Sequence, residues 1–349
     1  MAKQIRYGVI GAGAIAQRRH LPEIHANPDS EVVAIADPAK ERVAEVAEQY
    51  GATAYKNHQA MLAEAELDAV VVAGPNAQHA PQTIEALKAG YHVLVEKPMA
   101  TTKQDAKAMI AAAKKAKKYL MVGMNQRLMP PHVKAKEVLE QGKLGRILAF
   151  ETNFKHAGPD GWSIDGAKSW FFKKSAAVLG VNGDLGIHKA DLMRFLLGEE
   201  FTHVGGFVTT LDKKQFGTDK LIPVDDNAYL TLKTESGTIG SIHISWTNYG
   251  RIEDNGTVLH CEKGVMRIGM DPEYGVMVDY MTGQKERYVV GEIATNDRQV
   301  GSGVSDTFTA SILNRRKPSI DGDEGYRALN VILTAVEASK EGVIKKLRY

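Results

Sequence analysis

Two short runs carry the side chains with which this chain could move a proton. The first is Glu96-Lys97-Pro98, which follows the apolar stretch Val93-Leu94-Val95. That stretch reads as a buried strand, and the proline ends it because it cannot donate to a ladder. In an open parallel sheet, ligands sit outside the carboxyl ends of the strands, so a lysine there stands where chemistry occurs. The plainer alternative is a structural salt bridge at a strand end. The second run is Asp184-x-x-x-His188-x-x-Asp191. On a helix, spacings of four and three put all three side chains on one face. Histidine has an unperturbed pKa near neutrality, which suits a general base. Asp184 could equally cap the helix, and His188 could be a satisfied core histidine. Oxidising a secondary alcohol needs a group to take the hydroxyl proton and a cation at the developing alkoxide. Lys97 and His188 supply those types, and Asp184 can orient them.

Such a reaction also needs a hydride acceptor. Gly11-Ala12-Gly13-Ala14-Ile15-Ala16 follows an apolar strand over 5–10 and matches the G-x-G-x-x-A form of the dinucleotide fingerprint. Gly11 permits the tight turn, Gly13 lets the backbone approach a pyrophosphate, and Ala16 lets the helix pack on the strand. The free N–H groups of the helix that follows, from Ala14 and Ile15 onward, face the phosphates. Asp37 ends a second strand, 31–36, close to the ~20-residue offset of an acid that binds ribose hydroxyls. Such an acid repels a 2′-phosphate, so NAD is expected over NADP, with Lys40 and Arg42 near enough to soften the preference. Asp37-Pro38 also suits a helix N-terminus.

Alternating elements position these residues. A helix over 39–50, a strand over 69–73, a helix over 77–89 closed by Gly90, a strand over 92–95, a helix over 102–118 and a strand over 119–123 continue the pattern. These five strands, with intervening helices, point to a doubly wound Rossmann domain of six strands, assigned to residues 1–123. The rhythm then changes. A strand over 146–155 and a helix over 184–197 lead into three hairpins between Ala228 and Val290, and helix returns over 305–342. Residues 124–349 are therefore expected to form an α+β domain with a large, mostly antiparallel open sheet, α/β followed by α+β. One uncovered face of that sheet predicts a homodimer or homotetramer.

The 349 residues favour two domains. Their 44 basic and 42 acidic side chains leave a net charge of +2, which argues against a nucleic-acid partner. No apolar run approaches the ~20 residues of a membrane span. The single cysteine, Cys261, fits a reducing compartment, and no charged-then-apolar leader precedes the first strand, so a cytoplasmic protein is expected. His260-Cys261-Glu262 does not read as a metal site, because consecutive strand residues point to opposite faces.

The fingerprint, the E-K-P strand end, the D-x-x-x-H run and Pro75-Asn76-x-x-His79 together resemble the Gfo/Idh/MocA oxidoreductases, across essentially the whole chain. The resemblance implies a nicotinamide-binding first domain, with cofactor contacts at Gly11, Gly13, Ala14, Ile15, Asp37, Pro75, Asn76, His79, Glu96 and Lys97. It also implies a substrate-binding second domain, with a lysine and a histidine flanking the reacting carbon. Lys97, Asp184 and His188 are the catalytic candidates. Asn125, Arg127, Trp170 and Asp191 join them as substrate contacts, although Asn125 to Arg127 would serve equally as a hinge. The substrate expected is a sugar, inositol or related polyol. Two departures from the family pattern fall near the expected pocket: Val178-Leu179-Gly180 stands for a glycine triplet, and Trp170-Phe171 for Trp-Arg. The alternatives are an NAD-dependent glycosidase of the same family and a non-catalytic nucleotide-sensing regulator.

Overall fold

In the computed structural model, which describes residues 4–250, 253–293 and 301–349, the apolar runs of the first half become the middle of a parallel sheet. Its strands are β1 (Ile5–Ile10), β2 (Ser30–Ala36), β3 (Thr53–Tyr55), β4 (Ala69–Val72), β5 (His92–Val95) and β6 (Leu120–Val122). They lie in the order β3-β2-β1-β4-β5-β6, with every pairing parallel. β4 is buried at all four positions, as a strand covered on both faces must be. The edge strand β3 is short and half-exposed, and no apolar run announces it.

Helices α1 (Leu21–Ala26), α2 (Lys40–Tyr50), α3 (His58–Glu64), α4 (Asn76–Lys88) and α5 (Lys103–Ala116) connect the strands. Thr102 caps α5 by accepting from the Asp105 N–H, and Gly51 ends α2 in the left-handed region. The order of strands reverses direction between β1 and β4. The carboxyl ends of β1, β2, β4 and β5 therefore open onto one crevice, and they carry Gly11, Asp37, Gly74 and Glu96-Lys97.

The second sheet uses β7 (Ile147–Lys155), β8 (Phe201–Thr209), β9 (Asn227–Thr234), β10 (Ile239–Ser245), β11 (Thr257–Cys261), β12 (Gly264–Ile268), β13 (Val276–Tyr280), β14 (Lys285–Tyr288) and β15 (Lys345–Lys346). Their order is β14-β13-β12-β11-β7-β10-β9-β8-β15. The three expected hairpins are β9–β10, β11–β12 and β13–β14. The β7–β10 pairing is parallel, and it puts the carboxyl ends of those two strands side by side, Ser245 opposite Lys155.

Helices α6 (Pro130–Glu140), α7 (Lys174–Ala177), α8 (Ile187–Leu197), α9 (Val304–Leu313) and α10 (Gly322–Glu341) complete the chain. The helix expected over 184–197 begins instead as a π-helical turn, Asn182–Gly186, that runs into α8. Asp184 therefore lies inside a continuous winding and is no N-cap. α9 does not stay with the second sheet. It returns to the first, where Tyr7 and Thr309 share a 2.8 Å hydrogen bond and Glu23 accepts from the backbone N–H groups of Ser302, Gly303 and Asp306.

Candidate active site

The crevice is a cavity of about 550 Å³ that runs from Asp37 at one end to Lys97 and Asp184 at the other. Gly11 adopts φ +99°, and a Cβ there would meet the Ala73 carbonyl oxygen at 2.8 Å. Only glycine lets β1 and β4 approach so closely at this turn. Gly13 differs: a Cβ added to it meets no atom within 4 Å, so its backbone faces open space. That opening, on the N-terminal side of a helix, fits a pyrophosphate. Gly13→Val should accordingly leave thermal stability unchanged and abolish dinucleotide binding, measured by a melting curve and a nicotinamide-fluorescence titration. A variant that still bound dinucleotide would contradict the fit.

Asp37 is buried, and its carboxylate accepts from the Ala12 and Ala39 N–H groups at 2.8 Å each. It clamps the glycine turn to the start of α2. Each carboxylate oxygen keeps a further lone pair for a ribose hydroxyl. Ala14, Ile15, Pro75, Asn76 and His79 also line the crevice. The ring nitrogens of His79 lie 2.8 Å from the carbonyl oxygens of Pro98 and Gly74, which ties together the loops after β4 and β5. Asn76 donates to the Ala177 carbonyl at 3.0 Å and so fastens α4 to α7 of the second domain.

At the other end, the Lys97 ammonium donates to Asp184 Oδ1 at 2.8 Å and to the Asp184 carbonyl at 3.1 Å. The pair joins the two domains across the crevice. Trp246 Nε1 donates to Asp184 Oδ2 at 3.1 Å, and His156 Nε2 stands 4.0 Å from the same oxygen. Glu96 receives the His20 ring at 2.8 Å and the Lys97 N–H at 3.1 Å. Burial alone would raise the Glu96 carboxyl. The His20 hydrogen bond and charge, with Lys97 and Arg19, outweigh it and hold the pKa at about 2.

His188 stands just behind this wall, 5 % exposed, its ring 6.0 Å from that of Phe154. Its Nδ1 is buried with no hydrogen-bond partner among the described residues. Burial first, then the charges of Lys97, Arg19 and Lys189, push its pKa well below 6.5. His188 is therefore a neutral imidazole beside a lysine–carboxylate pair, able to accept a proton. Trp170 lines the crevice and stacks on Phe171 at 3.9 Å, with Trp162 edge-on to the same ring.

Like His188, three more expected substrate contacts do not line the crevice: Arg127, Asp191 and Asn125. Arg127 and Asp191 form a bidentate ion pair at 2.7 and 2.6 Å, and Glu324 joins it at 2.6 Å. Asp191 is wholly buried there, and both of its carboxylate oxygens are taken by Arg127 within the second domain. Asn125 is also buried, in the turn that carries Arg127.

Sequence reasoning missed His20, Arg19, His156 and Trp246. Arg19 is buried near enough to Glu96 and Asp184 for its charge to reach both. His20 and Arg19 lie in the π-helical turn Ala16–His20 that continues the fingerprint, and they turn inward only because of that winding. His156 and Trp246 follow the carboxyl ends of β7 and β10, and the His156 N–H donates to the Ser245 carbonyl at 3.0 Å. Only the parallel pairing of those strands makes them neighbours. A chain of hairpins gives no sign of it.

Residues 5–124 match the GFO/IDH/MocA family model, described as an oxidoreductase family with an NAD-binding Rossmann fold, and residues 132–267 match the model of the GFO/IDH/MocA C-terminal domain. A levoglucosan dehydrogenase of Pseudarthrobacter phenanthrenivorans is 28% identical, over 82% of this chain and 78% of its own. A dTDP-3,4-didehydro-2,6-dideoxy-alpha-D-glucose 3-reductase of Actinomadura kijaniata is 31% identical, over 71% and 72%. Among solved structures, the aldose-aldose oxidoreductase from Caulobacter crescentus complexed with glycerol superposes with a TM-score of 0.83 at 27% identity, covering 99% of this chain and 100% of that one.

Proposed function

The chain belongs to the Gfo/Idh/MocA oxidoreductase family, an NAD-dependent enzyme family, and from that premise we propose that it moves a hydride between nicotinamide and a secondary hydroxyl of a sugar, cyclitol or related polyol. One observation carries the reading: the Lys97–Asp184 pair, one partner from each domain, closes the reaction end of a crevice whose other end suits a dinucleotide. Names of relatives such as levoglucosan dehydrogenase support the substrate class. Bound NAD supplies the hydride acceptor, nicotinamide C4. The Lys97 ammonium stabilises the developing alkoxide, Asp184 holds that ammonium in place, and neutral His188 takes the hydroxyl proton. Trp170 offers a ring face to the apolar side of a sugar. We place the divide between cofactor and substrate domains near Gly123, with α9 returning to the first sheet.

The test is a panel of sugars, inositols and sugar acids assayed with NAD and NADP. Net NADH formation from one of them supports the reading. Turnover of a glycoside without net NADH would replace it with the glycosidase.

A second assignment of the base has one observation in its favour: Lys97 lines the crevice, whereas His188 stands behind it. The pH profile separates the two. His188 loses its proton below the ordinary 6.5, so it is already competent there. The acid limb of kcat/KM should lie below pH 6.5 and disappear in His188→Ala. An acid limb kept unchanged in that variant would take the proton away from His188 and leave Lys97 as the candidate base.

Two further proposals concern the whole molecule. The outer face of the second sheet exposes Phe207, Tyr229 and Ile239, and pairing through it would make a dimer or a tetramer of dimers. Light scattering showing a monomer at micromolar concentration would contradict this. The single cysteine, Cys261, buried and unpaired, supports a cytoplasmic location.

A further inference from the structure

The dinucleotide end of the crevice is not built by the first domain alone. Asp37, Arg42 and Lys56 line it from the first sheet, while Ser163, Ile164 and Asp165 reach it from the long connection between β7 and α8. Arg42 lies in the first turn of α2, just beyond Asp37, and Asp165 Oδ1 accepts from its Nη2 at 3.3 Å. A guanidinium at this place, beside the carboxylate assigned to the ribose hydroxyls, is what a 2′-phosphate would require, since its fork matches phosphate oxygens two at a time. Asp165 takes one N–H of that fork and sets a negative charge beside it.

We propose that Asp165 is a cofactor-specificity residue: a carboxylate delivered by the substrate domain that withholds Arg42 from a 2′-phosphate and so keeps the enzyme on NAD. This rests on the dinucleotide reading of the crevice. Asp37 disfavours the phosphate by repulsion from beneath, and Asp165 does so from above by competing for its cation. Lys56, also on the rim, has no ion pair among the described residues and stays available to either cofactor. Arg42 and Asp165 are 29% and 48% exposed, so water screens the pair and its effect is a bias rather than an absolute bar. The same contact couples cofactor choice to the connection that carries Trp162 and Trp170, so a change in the substrate loop would alter cofactor preference without touching the fingerprint.

The test needs no substrate. Wild type, Asp165→Asn, Arg42→Ala and the double variant are titrated with NADH and with NADPH, followed by nicotinamide fluorescence. The NADPH-to-NADH affinity ratio should rise roughly two- to fivefold in Asp165→Asn, the scale of one released exposed ion pair. In the Arg42→Ala background the same substitution should leave the ratio unchanged. A ratio unchanged in Asp165→Asn would overturn the proposal, as would an equal weakening of both cofactors, which would make Asp165 a fastener of the loop only. Wild type that bound neither cofactor would overturn the dinucleotide reading itself, so the two failures are distinguishable.

Discussion

Lys97→Met should lower kcat by roughly 10²–10⁴-fold, about 3–5 kcal/mol at the transition state, while NADH affinity stays within a few-fold. Methionine keeps much of the stem's volume and removes only the ammonium, so the packing of the crevice survives. What is lost is the charge that Asp184 holds at 2.8 Å and that, in the proposed mechanism, meets the reacting oxygen. A positive charge fixed where an alkoxide develops costs no reorganisation during the reaction, which is why its loss falls on kcat. Lys97→Arg should not rescue, because a planar fork cannot keep the contacts to Asp184 Oδ1 and the Asp184 carbonyl while leaving a donor for substrate. Stopped-flow turnover and a separate cofactor titration check this. Loss of NADH binding with hydride transfer retained at saturation would make Lys97 a cofactor anchor.

Asp191→Asn should cost stability rather than chemistry. Its carboxylate is wholly buried, and the Arg127 guanidinium that it meets in two parallel hydrogen bonds is 9% exposed. Removing one partner of such a pair leaves an uncompensated charge, worth about 3–5 kcal/mol. Glu324 remains on Arg127 and places the loss toward the lower end of that range. The unfolding free energy should fall by that amount, read as a lower denaturant midpoint with an unchanged slope. KM for the substrate should stay the same in the folded protein. A raised KM at unchanged stability would return Asp191 to the substrate site.

Asp191 also shows where sequence reasoning stops. Its spacing from His188 put it on the expected face, but a helix face is wider than a site. The partner that decides its role, Arg127, lies 64 residues away in sequence. The first domain was legible because its determinants are local: β4 and β5 are apolar runs ended by glycine or proline, and Gly11 and Gly13 sit at a fixed offset from Asp37. The hairpins of the second sheet were legible for the same reason. The parallel β7–β10 pairing was not, because it joins strands separated by α8 and two further strands, and His156 and Trp246 stayed hidden with it. The return of α9 to the first sheet is equally non-local, since Tyr7 meets Thr309 across almost the entire chain. Arg19 and His20 were obscured by winding: a π-helical turn changes which residues face inward, and no side-chain type marks it.

We propose that Lys97 and His188 act as one unit on one hydroxyl. The most direct test is single-turnover hydride transfer, at saturating NAD and with a substrate found in the panel, in Lys97→Met, His188→Ala and the double variant. Each single variant should slow transfer by roughly 10²–10⁴-fold, and the double should be little slower than either, because groups that act together are not additive. Independent, multiplying effects would contradict a shared role. Near wild-type transfer in His188→Ala across the pH range would remove the histidine from the chemistry altogether.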